Sequence, residues 1–238
     1  MLSLPEKYKK DSYIPIKPFL NTTLSSAEKK KFREYVEDIH ISYQIEGFDI
    51  PNLINDDYNC QAISFLSIKL NNLKNAAFVG RIVQKEVKIL CVIEFTDGVN
   101  ECWCFADKRL NKQNSNEIIV ENVYITDVLP LNFTNETKTL FSIYIDYDTI
   151  LNRSNKHAYY IEMMTKAFII FNNGLFSNMD KLLDSKFWYN EDKILLCFNL
   201  LNQLKQLKNS VIKTNLISER SKLNSEIKTI IKQLEELI

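Results

Sequence analysis

Glycine is scarce in this chain, with four among 238 residues. Loops that cradle phosphates need several glycines close together, so a nucleotide-binding loop is disfavoured and no cofactor is expected. An excess of charge is missing too, because 30 Lys+Arg stand against 30 Asp+Glu. That balance argues against a strongly basic DNA binder, whose phosphate contacts need surplus cations. The five cysteines are odd in number and lack the spacing of a disulfide framework, which points to a reducing compartment. No apolar run approaches the roughly 18–20 residues that cross a bilayer. The opening "MLSLPEKYKKDSYIP" has no apolar stretch of signal-peptide length. A cytoplasmic protein without membrane contact is expected.

What is present reads as a mixed α and β chain. Residues of hydrophobic type make up 45%, enough for a sizeable core. Ser25 and Glu28 have capping-box spacing, and Phe32, Tyr35, Val36 and Ile39 recur at helical intervals. This predicts a helix over 25–39, passing into a strand where Ile39, Ile41, Tyr43 and Ile45 alternate. The stretch 46–55 reads as a loop, and "CQAISFLSIKL" as a strand with Ile63, Phe65 and Ile68 inward. Val87 to Thr96 and Val99 to Phe105 flank Asp97-Gly98, a type I′ dipeptide, and predict a hairpin. "NEIIVENVYITDV" and "TLFSIYIDY" read as two further strands. The connections look too short for helical crossovers, so the sheet is expected to be mostly antiparallel.

Beyond Lys156 the period becomes helical. Tyr160, Met163, Met164, Ala167 and Phe168 fit one helix stopping near Asn173-Gly174. Cys197, Leu200, Leu204, Leu207 and Val211 keep one leucine-rich frame. Leu216, Leu223, Ile230 and Leu237 keep another, with Ile227 and Leu234 between them. The frames slip by two residues across "VIKTNL", which no stutter or stammer of one coil produces. Two helices with a turn near 213–218 are therefore expected. The division that results is an α+β sheet domain over 1–175 and a C-terminal helical hairpin or coiled-coil region over 176–238.

Candidate chemistry is sparse. Cys102 and Cys104 share one strand face and Trp103 takes the other, but a zinc site needs four ligands and no second C-x-C follows. The thiols are read as packing, and no metal is expected. Glu94, Asp97 and Glu101 around the hairpin are the carboxylates a metal-dependent nuclease would use. Asp97 is also explained by the turn, and Glu101 by an exposed strand face. His157 has no nucleophile motif beside it, so an enzyme is not argued. Lys7 with Lys9-Lys10, and Lys29 to Lys31, are basic clusters read as solvated surface. Lys108, Arg109 and Lys112 lie beside Trp103 and Phe105 and are the candidate nucleic-acid contacts. The last helix carries an apolar seam of Leu216, Leu223, Ile227, Ile230, Leu234 and Leu237, with Arg220 at a core position. A polar core residue can fix register or partner, so these residues are candidates for partner binding or for a homo-oligomer, weighed equally against a hairpin that packs on its own domain.

The order of "LPEKYKKDSYIPIKPFL", "LSSAEKKKFREYVEDIHISYQI", "ISFLSIKLN", "VKILCVIEFTDGVNECWCFADKR" and "SERSKLNSEIKTIIKQLEEL" resembles the bacterial family catalogued as domain of unknown function 4391. The likeness spans nearly the whole chain and carries no catalytic signature. It implies an accessory role in a restriction-modification or antiviral defence system, because that family is encoded beside helicases and DNA methyltransferases. The expected partner is such a helicase or methyltransferase subunit, with DNA touched within the complex.

Overall fold

A computed structural model describes residues 2–20 and 24–238. Seven strands form one sheet. β1 (Lys9–Tyr13) pairs with β2 (Val36–Ile45), which pairs with β5 (Ile63–Leu70). The order continues through β6 (Leu90–Thr96), β7 (Asn100–Asn111) and β8 (Asn114–Ile125). The short β9 (Leu129–Pro130) joins the start of β7, and β3 (Leu53–Ile54) and β4 (Asn59–Cys60) make a separate ribbon. Every pairing in the large sheet is antiparallel except β5 with β6. That parallel pair needs a crossover, and α2 (Ala76–Glu86) supplies it. The sequence reading had no helix there, although Val79, Ile82 and Val83 carry helical spacing and are buried.

Helices cover both faces of the sheet. α1 (Ser26–Tyr35) and α2 pack on one, where Phe32, Val79 and Val83 meet Leu66, Ile68, Cys91, Ile93 and Phe95. The reciprocal capping box of Ser25 and Glu28 is formed. α1 ends four residues earlier than expected, because Val36 enters the ladder opposite Leu70. The other face receives α3 (Glu136–Ile145), α4 (Lys156–Phe171), α6 (Glu191–Lys213) and α7 (Ile217–Glu235), with the short α5 (Met179–Leu183) between. α4 is buried all round from Lys156 to Ile170, as a central helix must be.

Two local expectations are corrected. "TLFSIYIDY", expected as a strand, is mostly α3: Asn135 caps it by accepting from Lys138 N (2.9 Å), and Phe141 and Ile145, four apart, are buried. The hairpin between β6 and β7 exists, but its turn is not type I′. Gly98 has φ +86° and Val99 is not left-handed, so glycine occupies the first central position, as in type II′. Asp97 instead braces the turn, its carboxylate accepting from Val99 N (3.0 Å) and Asn100 N (2.7 Å).

Candidate functional site

The hairpin carboxylates do not converge as a trio. Glu94 sits opposite Trp103, and Glu101 opposite Thr96, which puts both acids on the α3–α4 face. Glu101 is not on an exposed face as expected. It is 1% exposed and paired with Lys138, whose ammonium also donates to Leu131 O (2.7 Å). Burial and the neighbouring Glu101 push the half-buried Glu94 carboxyl above its ordinary range. Asp97 is spent in the turn, and its backbone hydrogen bonds hold it below the usual carboxylate range.

The expected nucleic-acid contacts are placed differently from one another. Lys108 is buried, and its ammonium donates to Val87 O (2.7 Å), Ile89 O (2.9 Å) and Cys91 Sγ (3.4 Å). It satisfies carbonyls of the connection between α2 and β6, so its donors are spent inside the fold. Arg109 and Lys112 stay near the surface, but Arg109 Nε meets Glu121 Oε1 (2.5 Å) and Lys112 Nζ meets Asp57 Oδ1 (2.9 Å). Trp103 and Phe105 are fully buried, Trp103 stacked on Phe141, so no base can stack on them. Cys91, Cys102 and Cys104 lie in the apolar layer under α2, where burial pushes the Cys102 thiol up to about 12. These thiols pack.

One polar constellation escaped the sequence reading. His157, in the first turn of α4, is fully buried between two carboxylates. Its Nδ1 donates to Glu191 Oε1 (2.5 Å) and its Nε2 to Asp107 Oδ1 (3.1 Å), while the Tyr58 ring lies 4.1 Å away. Burial pushes the imidazole down, but the two carboxylates outweigh it and hold it at about 9. Asn155 and Asn190 cap α4 and α6, which sets His157 and Glu191 face to face; Asn155 Nδ2 also donates to Glu191 Oε2 (3.1 Å). With both ring nitrogens engaged, His157 offers no lone pair to a substrate or a metal. It ties β7, α4 and α6 together. The available signal was the charged pair Asp107-Lys108 directly after the apolar run Cys102 to Ala106.

The tail forms the expected helical hairpin, turning at 214–216 between α6 and α7. Its seam is largely consumed by self-packing: Ile227, Ile230 and Leu234 are buried in the same core as α4, and Leu223 and Leu237 are half-buried. Arg220 is not a core residue. It is exposed and donates to Thr214 O (2.8 Å) beside the turn. Leu216 is exposed because it caps α7 from within the turn. Its neighbours complete an apolar tip: Ile212 is 76%, Leu216 65% and Ile217 86% exposed.

Among the described residues no helix is long and apolar enough to cross a membrane. The model of the family described as Domain of unknown function (DUF4391) matches residues 2–234, and the chain belongs to that family. No curated protein and no solved structure matches it.

Proposed function

We propose, from that membership and from the exposed tip, that this protein is a non-catalytic subunit that docks a larger protein through its C-terminal hairpin. The partner in this reading is a helicase or DNA methyltransferase subunit of a bacterial restriction or antiviral defence system, as the resemblance to the family implies. The observation that carries it is the trio Ile212, Leu216 and Ile217, three large aliphatic side chains left in water within six positions. Clustered apolar exposure marks interaction surfaces, whereas scattered single residues do not. DNA contact falls to the partner, since Lys108 is buried and the cations of Arg109 and Lys112 are paired.

Deleting the last helix is a poor test, because Ile227, Ile230 and Leu234 would leave the core with it. Substitution at the tip is cleaner. Ile212→Lys near the end of α6, Leu216→Ser at the cap of α7 and Ile217→Glu in its first turn all suit their helix positions. The triple variant is expected to melt like the parent and to lose the partner in nuclease-treated co-purification from the native host. Undiminished recovery, or no partner with the parent chain, would count against the proposal.

A second reading rests on Glu94 and Glu101 sharing one face beside Lys138. A metal-dependent nuclease places acids and a lysine together in this way. In that reading Glu94→Gln abolishes Mg²⁺-dependent cleavage of DNA by the purified chain, and an intact chain that cleaves nothing disposes of the idea.

A further inference from the structure

A cleft of about 310 Å³ opens where α2 hands the chain to β6. Val87 and Ile89 of that connection line it, with Phe19 from the turn Lys17–Leu20, Ile41 from β2 and Leu66 from β5. Such a volume falls at the small end of ligand pockets, and mostly apolar walls are their usual character. Three polar side chains, Gln44, Ser64 and Glu86, share the lining.

Alternation along β5 sends Ser64 to the same face as Leu66, Ile68 and Leu70, the layer under α2. Gln44 sits directly opposite Ser64 in the β2–β5 ladder, and so on the same face. Ser64 is 2% exposed, yet its hydroxyl makes no hydrogen bond among the described residues, and neither does the Gln44 amide. Buried hydroxyls are normally paired, which leaves this one to meet whatever fills the cleft.

Glu86 is the last residue of α2 and is half-buried. Among the described residues it has neither a hydrogen bond nor an ion pair. Two effects disfavour its charge there. The C-terminal end of a helix carries partial negative charge, and apolar walls withhold water, so burial raises the carboxyl above its ordinary range. Lys85 pulls the other way without pairing with it. The buried Lys108 ammonium is bonded to Val87 O (2.7 Å) and Ile89 O (2.9 Å) and forms no pair with Glu86 either.

We propose that this cleft binds a small organic cation, its ammonium on Glu86, Ser64 and Gln44 and its apolar body between Phe19, Ile41 and Leu66. An anion would face the carboxylate and the helix end, both of its own sign. A neutral hydrocarbon would leave hydroxyl, amide and carboxylate without partners. A hard metal ion needs several convergent oxygen ligands, and one carboxylate stands here. Because α6 and α7 cover the other face of the sheet, the proposal is independent of docking through the hairpin tip.

Three probes with similar bodies separate the head groups: phenethylamine, phenethyl alcohol and hydrocinnamate. Each is titrated into the isotope-labelled full chain at neutral pH and followed through amide chemical shifts. Phenethylamine should bind saturably with millimolar affinity, its shifts centred on Ser64 and Val87 to Ile89. Phenethyl alcohol should bind at least about tenfold more weakly, and hydrocinnamate not at all. Glu86→Gln, nearly equal in shape, should melt like the parent and remove the advantage of the amine over the alcohol. No saturable binding of the amine, equal affinity for amine and alcohol, or shifts centred elsewhere overturns the proposal. So does a Glu86→Gln chain that binds the amine as tightly as the parent.

Discussion

His157 has the clearest energetic role of any single residue. Buried between Asp107 and Glu191, it holds its proton to about 9 in the folded chain, against an ordinary value of 6.5. A folded value above the unfolded one gives stability that is present in full below about pH 6.5. That contribution is lost as pH rises through about 9. At about 1.4 kcal/mol per unit, it is worth on the order of 3 kcal/mol. The denaturation midpoint should therefore fall between pH 6.5 and 9, and His157→Gln should flatten that slope while lowering stability at pH 6.5. An unchanged slope in the variant would show that the imidazole is not charged in the folded state. Little of this was legible in the sequence, since the two carboxylates lie 50 and 34 positions from the histidine. Lys108 misled for a related reason: a lysine next to an arginine reads as surface, and only the fold shows two carbonyls waiting for it.

The elements divide by whether local pattern and tertiary demand agree. α1 was readable from its capping box, and β6 with β7 from the glycine between two β-branched and aromatic runs. α3 was misread because Phe141, Ile143, Tyr144 and Ile145 favour a strand by residue type. Its cap at Asn135 and the packing of Phe141 on Trp103 override that preference. The hairpin of α6 and α7 and most of its inward seam were readable from the two leucine frames, but not whether that seam would pack on its own domain or on a partner. Leu234, at 0% exposure in the main core, settles that point and yields a test. Leu234→Ala should destabilise the whole chain by about 2–4 kcal/mol in one transition, read by chemical denaturation. Melting of the tail alone, with the sheet intact, would contradict it.

At the scale of the whole molecule, the sheet is covered on both faces, and the helices of one face include the tail. The core that holds Trp103, Tyr160 and Phe168 also holds Leu200, Ile227 and Leu234. Its internal charges are absorbed by partners within the fold: Lys166 by Glu162, Lys138 by Glu101, and His157 by Asp107 and Glu191. Among the exposed large apolar side chains, Ile212, Leu216 and Ile217 gather at the turn between α6 and α7. In the proposed reading, that tip is where the partner docks. The most direct measurement is the affinity of the purified full chain for the subunit it retains through nuclease treatment, with and without the triple tip substitution. A loss of about tenfold or more at unchanged melting temperature is the predicted result. Equal affinity for both chains would contradict the account.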